Sequence, residues 1–266
     1  MPNAIWFNFG GNAGKDSDSI TTIATNCIHG KIDYIIPLVG DWALNGSING
    51  SSVAEWKTWT SAIQAYGIKV LLCVGGSASP SVNISSASIR TTMINNIVNL
   101  VNNTGADGYN DDTEVCYPNG LGYCADTDII ALWNAMDDAL KGIGKVMSAS
   151  GYYYAADRIH MDFWSPQCYN GSGAAPAGCI SNAIAKFNGS VLAGIGQYAS
   201  SLSSIIQNID ANIYSLSGLK GICIFTYGSM TAADWIIWNN WKTKDQWTSS
   251  GTGMCATPIC NLMVYG

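Results

Sequence analysis

Asp107-Gly108-Tyr109-Asn110-Asp111-Asp112-Thr113-Glu114 is the stretch on which the reading of this chain turns. As a β-strand it places Asn110, Asp112 and Glu114 on one face, because side chains two positions apart point the same way. Apolar, helix-like runs precede and follow it, so the strand is expected to be buried. Burying carboxylates costs several kcal/mol unless they are hydrogen-bonded or one carries a proton. That cost is commonly met at a site of chemistry.

Outward from this strand, apolar runs alternate with segments of helical spacing. Strands are expected at 4–9 (AIWFNF), 34–39, 68–74 (IKVLLCV), 107–114, 145–150, 161–170, 191–195 and 221–227. Between them, helices are expected at 19–27, 53–66, 89–101, 127–140, 181–187 and 202–216, with a last one at 232–241. Strands that are apolar almost throughout suit a parallel sheet covered on both faces. Eight such strands alternating with helices predict an α/β fold, a single-domain (β/α)8 TIM barrel without a large insertion. The barrel is expected to occupy 1–241, with 242–266 as a polar tail packed on it or extending from it.

Apolar residues make up 48% of the 266 and charged residues only 11%, which supplies a large core. A net charge of −6, with 12 Lys plus Arg in no cluster, argues against a nucleic-acid partner. No apolar run reaches the roughly 20 residues a membrane span needs. Cys116 with Cys124, Cys168 with Cys179, and Cys255 with Cys260 form short-spaced pairs in polar loops, as loop-closing disulfides do. Cys27, Cys73 and Cys223 lie in apolar runs and read as core thiols. Zinc is the competing use of cysteine, but no C-x-x-C spacing occurs and only His29 and His160 are at hand, so no metal site is expected. Disulfides, with N-x-S/T sites at Asn45, Asn49, Asn83, Asn102, Asn170 and Asn188, favour a secreted protein. The start Met1-Pro2-Asn3 has no signal-peptide character.

In such a barrel, functional groups gather at the C-terminal ends of strands. Glu114 ends the fourth strand, with Asp112 below it and Asn110 deepest. A carboxylic acid close to a second carboxylate has a raised pKa and holds a proton for a leaving group, so Glu114 is the acid candidate. Calcium binding is the competing reading, but the EF-hand spacing is absent.

The pattern D-G-x-[D/N]-x-[D/N]-x-E, matched by Asp107, Gly108, Asn110, Asp112 and Glu114, resembles the strand-four signature of glycoside hydrolase family 18, the chitinases and their relatives. Two further elements are similar: Cys73-Val74-Gly75-Gly76 to the family's S-x-G-G, with Cys for Ser, and Gln167-Cys168-Tyr169-Asn170 to the Q-x-Y-N of its compact hevamine-like members. The resemblance implies a hydrolase acting on chitin or another N-acetylglucosamine polymer by substrate-assisted, retaining, endo cleavage. Glu114 would protonate the glycosidic oxygen, Asp112 would hold the 2-acetamido N–H, Tyr169 would donate to the acetamido oxygen and Asn110 would support Asp112. Gln167, Asn170, Gly75, Gly76, Phe225 and Tyr227 would line the sugar site. No cofactor is implied, and a monomer is expected.

Phe225 takes the place of a Trp usual at the end of strand eight, and Asn8 that of a strand-one aromatic. Asp111 faces the helices, where the pattern is usually apolar, and the sequence offers no reason for it. Trp42 and the run Tyr152-Tyr153-Tyr154, each after a strand end, are further sugar-contact candidates. Trp56, Trp59, Trp133, Trp235, Trp238 and Trp241 lie in helices and Trp164 inside a strand, positions that suit packing. The competing functions are an endo-β-N-acetylglucosaminidase acting on N-glycan cores and a chitinase-like lectin or inhibitor that binds without cleaving.

Overall fold

Nine strands and seven α-helices occupy the residues that the computed structural model describes: 2–8, 18–50, 52–75, 82–112, 126–150, 159–168, 177–187, 189–196, 201–210 and 218–242. The strands are β1 (Ala4–Asn8), β2 (Tyr34–Trp42), β3 (Ile48–Gly50), β4 (Lys69–Gly75), β5 (Gly108–Asp112), β6 (Val146–Ser150), β7 (Phe163–Ser165), β8 (Ser190–Gly196) and β9 (Leu219–Phe225). The helices are α1 (Ile20–His29), α2 (Val53–Gln64), α3 (Ala87–Thr104), α4 (Asp126–Lys141), α5 (Ala177–Lys186), α6 (Leu202–Asn208) and α7 (Ala232–Lys242). Eight strands pair in parallel around a closed ring, with β1 bonded to both β2 and β9. The expected (β/α)8 barrel is therefore the fold. The ninth strand, β3, is antiparallel and hairpins back onto the end of β2.

Two apolar layers hold the barrel. Outward-facing residues of the strands pack against the helices, where Trp56, Trp59, Trp133, Trp235, Trp238 and Trp241 are all buried. Fully burying one large apolar side chain is worth about 1.5–3 kcal/mol, so this layer is a principal source of stability. Trp164 packs outward against Phe187, with ring centroids 5.9 Å apart. Inside the ring, Ala4, Trp6, Ile36, Leu71, Cys73, Phe163, Leu192 and Cys223 fill one part of the interior. The part facing β5 and β6 is polar.

A repeated device sets the strand starts. Asp33, just before β2, accepts from Asn3 N at 2.8 Å; Asp107, before β5, accepts from Val70 N at 2.9 Å; Asp162, before β7, accepts from Met147 N at 2.9 Å. Asn3, before β1, accepts from Ile222 N at 3.2 Å and so closes the ring. Each satisfies a backbone amide at or within a few residues of the start of the neighbouring strand. Gly108 follows for a steric reason: a Cβ there would run into the Val146 backbone carbonyl. The opening Asp107-Gly108 is thus explained by the barrel's construction.

The disulfide Cys168–Cys179 is present, and Cys27, Cys73 and Cys223 are buried free thiols. The other two expected pairs, Cys116 with Cys124 and Cys255 with Cys260, lie outside the described residues, as does 243–266 of the expected tail. No described helix is long and apolar enough to cross a membrane.

Candidate active site

Strand β5 (GYNDD) is buried along its whole length although it holds only one aromatic and no aliphatic side chain larger than glycine. Its outward face is satisfied by Tyr109 and Trp133. The Tyr109 hydroxyl donates to Asp111 Oδ1 at 2.6 Å and the Trp133 indole N–H to Asp111 Oδ2 at 2.7 Å. This accounts for the acid that the sequence left unexplained. Burial and the adjacent Asp111 together hold the Tyr109 hydroxyl well above its usual range, so it stays a donor.

The inward face carries Asn110 and Asp112. Asn110 Nδ2 donates to Ser148 Oγ at 2.8 Å, and Ser150 Oγ donates to Asn110 Oδ1 at 3.4 Å. Ser150 and Ser165 share a hydroxyl hydrogen bond of 2.9 Å, and Ser165 also donates to Ala149 O at 3.3 Å. A ladder of neutral polar groups thus runs from β5 across β6 to β7. These serines were missed in the sequence. Their signal was Ser148 and Ser150 at period two in the otherwise apolar VMSAS.

Above that ladder, Asp112 is only 7% exposed, and Gln167 Nε2 donates to its Oδ1 at 2.9 Å. In a barrel of this kind, a layer takes one inward residue from every second strand. The pairing registers place Leu38, Asp112 and Phe225 in one such layer near the C-terminal ends, and Gln167, two residues beyond β7, joins it through its bond to Asp112. Gly75, at the end of β4, pairs with Asp112. Phe225 is partly exposed and packs on Trp6, the centroids 6.2 Å apart at 59°; its peptide bond to Thr226 is cis. Leu38 and Trp6 were not singled out in the sequence, because their apolar runs gave no sign of depth in the barrel.

Two expected sugar contacts are corrected. The register of β2 on β4 shifts between Leu38 and Gly40, as at a β-bulge, and a bulge turns the following residues to the opposite face. Trp42 is thereby fully buried in the helix layer and presents no stacking face. Tyr227 does not continue the alternation of β9, since the chain turns at Thr226 into a short 3-10 helix at Tyr227–Ser229. Its ring is buried between Phe7 and Trp235, and its hydroxyl donates to Asp18 Oδ2 at 2.8 Å and accepts from Asn26 Nδ2 at 3.0 Å. Glu114, Tyr169, Asn170, Gly76 and the run Tyr152-Tyr153-Tyr154 lie outside the described residues, as does the side chain of Asn8. Among the described residues no cluster of His, Cys, Asp or Glu is arranged to hold a metal ion.

No protein-family model matches the chain, and no curated protein does. Solved structures do. A chitinase from Rhizomucor miehei superposes with a TM-score of 0.71 at 12% identity, covering 91% of this chain and 100% of that one. A family 18 chitinase from Pseudoalteromonas aurantia gives 0.68 at 18% identity, covering 89% and 98%. The spore cortex-lytic enzyme of Bacillus megaterium gives 0.64 at 12% identity, covering 90% and 73%. What this chain has in common with these proteins is the barrel, over nearly its whole length.

Proposed function

We propose that this protein is a family 18 glycoside hydrolase of chitinase type, cleaving β-1,4-linked N-acetylglucosamine polymers internally with retention of configuration. The observation that carries the reading is the position of Asp112. The signature Asp107 to Glu114 supplies an inward, nearly buried carboxylate at the C-terminal end of its strand, hydrogen-bonded by Gln167 and in the same layer as Phe225. Similarity of fold to chitinases over nine-tenths of the chain supports the same family.

In the proposed reaction, Glu114 protonates the glycosidic oxygen as the sugar's own acetamido carbonyl oxygen attacks the anomeric carbon. Asp112 accepts the acetamide N–H and stabilises the positive charge that develops on the ring so formed, with the Tyr169 hydroxyl on the acetamido oxygen. Glu114, now a carboxylate, takes a proton from the water that opens the intermediate. Phe225 offers an aromatic face to the sugar, supported from below by Trp6. The disulfide, together with the sequons, supports secretion.

The test is incubation with chitin oligosaccharides and, separately, a high-mannose glycopeptide, with products weighed by mass spectrometry. Cleavage of the first, abolished in Glu114→Gln, is the expected result. Cleavage of the glycopeptide alone would move the assignment to N-glycan cores. No product from either would sink hydrolysis in favour of a binding role.

A further inference from the structure

We propose that Gln167 is the positioning residue of Asp112, and that the segment bearing it is pinned for this purpose; the kinetic arm of the test rests on the chitinase reading, the structural arm does not.

The first support is the bond itself. Gln167 Nε2 lies 2.9 Å from Asp112 Oδ1, and only the amide N–H, not its oxygen, can face a carboxylate. A neutral amide donor fixes the plane of the carboxylate without cancelling its charge, as an Arg or Lys would tend to do. The acetamide N–H of a sugar then meets an acceptor already aimed, and the ordering cost is met in advance.

The second support is what Asn110 does. It lies two residues before Asp112 on the same face, but its amide is turned to β6, donating to Ser148 and accepting from Ser150. The deep position therefore belongs to the serine ladder, and Asp112 accepts from Gln167, across the barrel.

Third, Gln167 follows a strand of only three residues, yet its backbone is held from three sides. Cys168 N donates to Pro166 O at 2.9 Å, closing a tight turn around Gln167. The disulfide ties Cys168 to Cys179 on α5. On the other flank, Gly194 of β8 lets the Pro166 carbonyl approach, since a Cβ at 194 would collide with it and would stand 3.6 Å from Gln167 Cα. A residue serving only as a sugar contact would not need its backbone fixed from three sides.

The test uses the full-length protein labelled with ¹³C at aspartate carboxyl carbons, comparing wild type, Gln167→Met and Cys179→Ser. Met keeps the length of Gln and removes the donor. A donor to the ionised form favours it, so loss of the donor should raise the pH midpoint at which the Asp112 carboxyl titrates. An unchanged midpoint in Gln167→Met overturns the proposal. Cys179→Ser should shift it in the same direction by less, and no shift there overturns the pinning. On a nitrophenyl chitobioside, Gln167→Met should lower kcat about 10- to 100-fold with KM within about threefold, at an unchanged unfolding temperature. A fall confined to KM would make Gln167 a sugar ligand instead. Should the wild type cleave no N-acetylglucosamine substrate, the chitinase reading fails while the titration still decides the role of Gln167.

Discussion

Trp133 of α4 donates its indole N–H to Asp111 of β5 at 2.7 Å, joining the helix layer to the strand that carries Asp112 on its other face. Both residues are fully buried. Trp133→Phe keeps most of the packing but leaves a buried carboxylate oxygen without that donor, at a cost of about 1–3 kcal/mol. The loss should appear as a lower urea midpoint with unchanged slope. Asp111→Leu, which removes the acceptor of the Trp133 indole bond and leaves the Tyr109 hydroxyl with its longer bond to Val74 O at 3.2 Å, should cost more. A neutral result in either variant would mean that the pair is not a stabilising link.

Asp107 is expected to be a structural residue of the signature, with no part in chemistry. Its Oδ2 accepts from Val70 N at 2.9 Å and Gln64 Nε2 at 2.8 Å. Asp107→Ala leaves the buried Val70 amide unsatisfied and should lower stability by about 1–3 kcal/mol. In the proposed reaction, the protein that remains folded should keep its wild-type KM, which steady-state kinetics below the unfolding temperature would check.

Asp112→Asn keeps shape while removing the charge that, in the proposed mechanism, stabilises the developing positive centre. The proposed mechanism predicts a loss of at least about 100-fold in kcat with little change in KM, since the interaction strengthens in the transition state. A near-normal rate would mean that the acetamide is oriented by another group.

Burial pushes the Cys27 and Cys223 thiols up from 9.0 to about 12. Unfolding returns them to the ordinary value, so the unfolded chain loses these protons first as pH rises. Their contribution to stability is therefore full below about pH 9 and declines between pH 9 and 12. In the native protein at pH 8, both should resist iodoacetamide and become labelled only in denaturant, as peptide mass mapping would read directly. Rapid native labelling at either position would contradict the burial.

The (β/α)8 order was legible because each strand sits between apolar helices, and nearly continuous apolar runs such as 68–74 leave a two-sided parallel strand as the simplest reading. Boundaries were less so. The sixth expected strand, over 161–170, is β7 (Phe163–Ser165), since Pro166 lacks an amide hydrogen to extend the ladder and the chain turns at once toward Cys168. The antiparallel β3 was not foreseen: it is three residues long and mostly exposed, with no apolar pattern to mark it.

By itself the sequence determined the alternation of strands and helices, the two-residue period that puts Asn110 and Asp112 on one face, and the cysteines that stay in the core, because each follows from local spacing and hydropathy. Only the tertiary structure decided which side chains meet across the ring. The shift in β2 turned Trp42 away from the mouth, the turn at Thr226 buried Tyr227, and closure of the barrel set Gln167 against Asp112, 55 residues apart in sequence. Such meetings depend on register and strand tilt summed around the whole barrel, and no local run of residues encodes that sum.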